Sequence, residues 1–121
     1  MEKENEIVQL SFRFALEIVA YCEKLEEEKK FVIANQLLRS GTSIGANIRE
    51  AQNAESMIDF LHRMKIAAKE ADESEYWLLI CNHFTHYPAP NALLEAVMSV
   101  KKLLNKIISS TKKRISNSSK H

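Results

Sequence analysis

Gln36-Leu37-Leu38-Arg39-Ser40-Gly41-Thr42-Ser43-Ile44-Gly45-Ala46-Asn47-Ile48-Arg49-Glu50 is the stretch from which the fold of this chain is read. At helical spacing it divides into two unlike stripes. Leu37, Leu38, Gly41, Ile44, Gly45 and Ile48 form an apolar one that is thin in its middle. Gln36, Ser40, Ser43, Asn47 and Glu50 form a second that is entirely polar. Gly41 and Gly45 are the only glycines in 121 residues, and they lie one turn apart. In a helix interior each costs roughly 1 kcal/mol against alanine. A missing Cβ repays that only where another helix backbone comes close, so the segment reads as the tightly packed inner helix of a bundle.

The same spacing continues outward on both sides. Ile7, Leu10, Phe14, Ile18, Tyr21 and Leu25 recur at an average step of 3.6 and predict a first helix from about Glu4 to about Leu25. Glu26-Glu27-Glu28-Lys29-Lys30 holds no apolar residue and turns the chain, although it carries neither Gly nor Pro. The second helix begins near Phe31 and ends around Gln52-Asn53. Ser56 and Asp59 then form a capping box for the third. In that helix Met57, Phe60, Met64, Ala67, Ala71, Ser74, Leu78 and Cys81 alternate steps of three and four, a heptad seam with small residues at its centre. Ala67 and Ala71 are the expected partners of Gly41 and Gly45. Pro88 and Pro90 end the third helix within Thr85–Asn91. A fourth follows on Leu93, Val97, Val100, Leu104, Ile107 and Thr111, fading near Ile115 into a frayed tail, 116–121.

Four amphipathic helices with short connections predict an all-α, antiparallel up-down-up-down four-helix bundle forming a single domain over residues 1–121. The polar, acidic start does not read as a signal peptide, and no segment approaches the roughly 18 apolar residues of a membrane span. Cys22 and Cys81 read as reduced core thiols of a cytoplasmic protein.

Chemistry is sparse. A bundle di-iron site needs inward carboxylates and two Glu-x-x-His pairs, and only Asp59-x-x-His62 comes near. His83-x-x-His86 lacks companion ligands and reads as a solvated helix terminus. Ser40 and Ser43 have no histidine in their segment to activate them. Gly41-Thr42-Ser43-Ile44-Gly45 lacks the Lys-Ser/Thr ending of a phosphate loop. No catalytic residue, metal site or cofactor is expected, and the chain is read as non-enzymatic.

Two polar features remain. The stripe of Gln36, Ser40, Ser43, Asn47 and Glu50, with Arg39 beside it, is either a solvated outer face or a polar seam against a neighbouring helix or subunit. In the second case Arg39 pairs with Glu70 or Glu73. The other feature is charge. Net charge is +1, yet residues 1–28 hold eight acids and three bases, whereas 101–121 hold seven bases and no acid. Lys102, Lys106 and Lys113 share one face of the fourth helix, with Lys101, Lys112 and Arg114 alongside. This helix reads as favourable charge at a helix C-terminus, as a phosphate-binding stripe for RNA, or as the partner of an acidic surface such as another subunit's first helix. Unlike acidic and basic patches on one molecule suit head-to-tail contacts between copies. The apolar surface for such contacts is sought outside the regular stripes, at Phe12, Tyr76 and Trp77.

Residues 36–50, followed by Asp59-Phe60 and by Glu70-Ala71-x-x-x-Glu75-Tyr76-Trp77-Leu78, resemble a bacterial four-helix-bundle family. It comprises the proteins encoded by intervening sequences in large-subunit ribosomal RNA genes, and is similar to the accessory variability determinant proteins of diversity-generating retroelements. The resemblance covers about residues 8–110 and is strongest from 36 to 78. It implies a four-helix protomer in a ring-shaped homopentamer, and for the retroelement relatives basic surfaces that engage RNA and a reverse transcriptase. Two functions are therefore expected as alternatives: an oligomeric protein contacting structured RNA, and a protein–protein adaptor docking onto such an enzyme.

Overall fold

The computed structural model describes residues 5–118 and consists there of four helices: α1 (Glu6–Glu27), α2 (Phe31–Ala51), α3 (Met57–His83) and α4 (Asn91–Ser118). Their order around the bundle follows the chain, α2 packing on α1 and α3, and α4 on α3 and α1. Neighbours run antiparallel. Ile18 meets Gly41 and Ser11 meets Gly45 between α1 and α2. Between α2 and α3, Ser40 meets Ser74 and Ser43 meets Glu70.

Each apolar stripe faces the common core. Ile7, Phe14, Ile18, Tyr21 and Leu25 of α1 are buried there, as are Leu37, Ile44 and Ile48 of α2, Met64 to Cys81 of the α3 seam, and Leu93, Val97, Val100 and Leu104 of α4. The first turn of α3 departs from its seam, since Met57 is exposed and Phe60 only half-buried. The fourth helix also departs from expectation, remaining helical through 116–118 instead of fraying, while 119–121 lie outside the described residues. α4 is the longer of the two outer helices, with 28 residues against 22 in α1.

The helix ends show how the chain turns without glycine. Asn5 caps α1, its side-chain oxygen accepting from the Ile7 N–H at 3.0 Å, and Ser56 caps α3, accepting from Asp59 N–H at 3.0 Å. Asp59 returns a bond to the Glu55 N–H at 3.3 Å, one residue earlier than in the usual reciprocal box. After α1, Lys29 takes the left-handed conformation at φ 63. Its N–H donates to the Glu26 carbonyl at 2.9 Å, and Lys30 N–H to Leu25 at 2.8 Å. That is the Schellman closure, with a lysine where glycine is the usual choice. An L side chain at such an angle costs roughly 1–2 kcal/mol, part of which glycine forfeits through its freer unfolded chain. Lys29→Gly is therefore expected to raise stability by about 0.5–1 kcal/mol in urea denaturation. An unchanged midpoint would mean the turn is relaxed as it stands.

Candidate nucleic-acid and subunit interfaces

The polar stripe of α2 is a seam against α3 within the same chain. Ser40 is fully buried, its hydroxyl 2.9 Å from that of Ser74, which is also buried and lies 2.8 Å from the Glu70 carbonyl oxygen. One turn away Ser43 donates to the Glu70 carboxylate at 3.4 Å, and the Asn47 amide donates to Ser43 Oγ at 3.1 Å. Arg39 caps the outer edge with two carboxylates at once, Glu70 at 3.3 Å and Glu73. Trp77 joins them, its indole N–H donating to Glu73 at 2.9 Å. Arg39 first and Trp77 second hold the Glu73 carboxyl below its ordinary range, and Glu73 in turn holds the Arg39 guanidinium above its own. At the far end Glu50 pairs with Arg63 at 3.4 Å, whereas Gln36 is exposed beside Trp77 and Tyr87.

Small residues thus line both flanks of α2, and the glycines are on the flank away from the seam. A Cβ on Gly41 would lie 2.8 Å from two carbons of the buried Ile18 side chain. The nearest atoms to one on Gly45 belong to Ser11, at 3.4 Å, an ordinary contact. Their partner is α1, not Ala67 and Ala71 of α3. Angular position about a helix is legible from sequence, but which neighbour stands at that angle is not.

The basic residues of α4 separate into two groups. Lys101 is only 24% exposed and bridges Asp72 at 2.9 Å and Glu75 at 2.7 Å on α3, which raise its pKa. It is held as a tie between helices. Lys102, Lys106, Lys112, Lys113 and Arg114 are exposed, and among the described residues no carboxylate pairs with any of them. Lys112, Lys113 and Arg114 fall on the last two turns of α4. Because α1 and α4 are antiparallel, this basic end is at the opposite end of the bundle from Glu23, Glu26, Glu27 and Glu28. A neighbour packed alongside at the same height does not bring the acidic and basic ends together. Glu6, in the first turn of α1, is at the same end as the basic residues.

Apolar surface is left open on two faces. Phe12 and Ala15 of α1 border a groove of about 540 Å³ against Thr42, Gly45 and Ala46 of α2, and Leu16 and Val19 continue the exposed apolar stripe of Phe12 along α1. On the opposite side Tyr76 and Leu79 of α3 and Met98 of α4 are each more than half exposed. Trp77 belongs to the seam rather than to either patch.

One cluster escaped sequence reasoning. His83, Phe84, His86 and Tyr87 gather at the α3–α4 connection, Phe84 stacking on Tyr87 at 5.1 Å and Lys30 lying over the Tyr87 ring at 5.2 Å. The two histidines pack against aromatic rings there, and the aromatic spacing in 83–87 was the available signal. Among the described residues no three His, Cys, Asp or Glu side chains are grouped to hold a metal ion. No helix is long and apolar enough to cross a membrane.

Residues 3–109 match the 23S rRNA-intervening sequence proteins. A crystal structure of a protein of unknown function from the S23 ribosomal protein family of Bacteroides thetaiotaomicron is similar, with a TM-score of 0.80 and 42% identity. The match covers 84% of this chain and 97% of that one. No curated protein matches the chain.

Proposed function

The chain belongs to the 23S rRNA-intervening sequence protein family, and from that premise we propose that it is a non-enzymatic, cytoplasmic, homo-oligomeric bundle that holds structured RNA through the exposed bases of α4. The observation that carries the RNA reading is the set Lys102, Lys106, Lys112, Lys113 and Arg114, exposed and, among the described residues, without carboxylate partners. Long, exposed cations on a rigid helix suit phosphate oxygens, whose neutralisation releases counterions. No aromatic side chain interleaves with them, so contact is to the backbone and independent of base sequence. The assembly is a ring of identical copies, five by the resemblance set out above. Repeating the basic helix end around a ring multiplies weak phosphate contacts into one avid surface.

Fluorescence anisotropy with a labelled RNA hairpin tests the RNA reading. Affinity is expected to fall with salt by about 0.7–0.9 log unit per tenfold salt for each phosphate contact. Lys102→Glu with Lys106→Glu should weaken binding alike for hairpins of unrelated sequence, whereas Lys101→Gln should change it little. Salt-insensitive binding, or none in low salt, would remove α4 from the account.

A further inference from the structure

The fold accounts for one glycine of α2 and not for the other. Gly41 is required by Ile18, but an alanine methyl at Gly45 would sit at ordinary contact distance from Ser11. The helix therefore carries a glycine whose cost of roughly 1 kcal/mol is not offset inside the chain. Gly45 opens on the groove between α1 and α2, with Ser11, Ala15, Thr42 and Ala46 around it and Phe12 at its lip. Phe12 is 56% exposed and Leu16 55%, an apolar stripe in line with Val19. A floor of small side chains beneath such a lip is shaped to receive a bulky side chain from outside.

The molecule carries a matching ridge. Tyr76 and Leu79 follow Asp72 and Glu75 by one turn on α3, and Met98 precedes Lys101 by one turn on α4. The pairing of Lys101 with both acids thus sets the three apolar side chains on the α3–α4 face. Tyr76 is 58% exposed, Leu79 and Met98 51% each. In a bundle whose helices neighbour one another in chain order, the α3–α4 face is opposite the α1–α2 face. Groove and ridge cannot meet within one chain, and every copy carries one of each. Their rims are complementary in charge: exposed Arg49 lines the groove, and beside the ridge two carboxylates, Asp72 and Glu75, share the one cation of Lys101, which leaves a net negative charge.

We infer that the α1–α2 groove is the docking site for the Tyr76, Leu79 and Met98 ridge of a second copy of this chain. The inference rests on the homo-oligomeric reading above and assigns its two faces. A contact between unlike faces is heterologous, so it propagates from copy to copy and ends only by closing a ring. Gly45 is the position of closest approach, where a methyl group lifts the incoming side chain.

Complementation between two surface variants tests this. Leu16→Glu places a carboxylate one turn from Phe12, on the apolar stripe beside the groove, and Tyr76→Glu places one on the ridge; both positions are exposed, and helix content by circular dichroism checks the fold. By light scattering at micromolar concentration the parent is expected to be a multimer, and each variant a monomer at the 13.9 kDa chain mass. Mixed in equal amounts, the variants should form a species of twice that mass and no larger, because one intact groove meets one intact ridge. Gly45→Ala should weaken self-association at least tenfold with helix content unchanged. A Tyr76→Glu variant that keeps the parental mass, or a mixture that stays monomeric, overturns the assignment of faces while leaving the oligomer standing. A monomeric parent overturns the oligomer itself, and the assignment with it.

Discussion

Replacing Gly41 with leucine is expected to destabilise the protein by about 3 kcal/mol, the upper part of the range for overpacked cores. The first added carbon would stand 2.8 Å from both Cγ1 and Cγ2 of Ile18. Ile18 cannot yield, since it is fully buried and its β-branch leaves it essentially one rotamer in a helix. The remaining leucine atoms must then push α1 away from α2 along the crossing. Gly45→Ala makes the informative contrast. Measured in the Leu16→Glu background, where association no longer contributes, it should gain up to about 1 kcal/mol from helix propensity alone. Chemical denaturation of the two variants reads the difference, and a Gly41→Leu midpoint equal to the parent's would place the close crossing elsewhere.

Alkaline unfolding is the second large expected effect. Three ionisable groups are buried together. Cys22 is pushed up to about 12 from 9.0, first by burial and then by Cys81 and Glu26. Burial likewise raises the Cys81 thiol, and burial with Cys81 raises the Tyr21 phenol, whose hydroxyl donates to the Pro88 carbonyl at 2.6 Å. In the unfolded chain the thiols ionise near 9.0 and the phenol near 10.0. Above pH 9 the folded chain therefore retains protons that the unfolded chain releases. The stability these groups contribute is complete below pH 9 and is lost as pH climbs toward 12, by about 1.4 kcal/mol per pH unit for each group that titrates only when unfolded. Urea midpoints taken at pH 8, 9, 10 and 11 should fall ever more steeply, and Cys22→Ala should make that fall shallower. A flat profile to pH 11 would mean the thiols ionise in place.

Much of this fold was legible before any coordinate, and the reason is visible in particular residues. Ile7 to Leu25 and Leu93 to Thr111 keep one helical period over several turns, and periodicity of that length has few alternatives. The turn at 26–30 was legible only as a lack of apolar residues, because its decisive feature is a left-handed lysine and lysine carries no turn signal. Ser40, Ser43 and Asn47 were ambiguous for another reason. Small polar side chains serve equally in water and in a tight seam, and only the position of α3 decides between them. Lys101 was grouped with the other bases of α4 because its carboxylate partners are 26 and 29 residues away in sequence.

The seam between α2 and α3 also decides which of several sliding alignments the bundle adopts. A three-four repeat is nearly indifferent to a slip of one heptad, since apolar positions fall again on apolar positions. Slipping α3 by seven residues in one direction would set Ala67 against Ser40, with Ile66 and Arg63 in the places of Glu73 and Glu70. Slipping it the other way would offer Cys81 to Ser40, with Ile80 and Trp77 before Arg39. Neither misalignment supplies a carboxylate, and one of them opposes arginine to arginine. The apolar repeat drives the helices together, and Arg39 with Ser40 selects a single register from those that the repeat alone would permit.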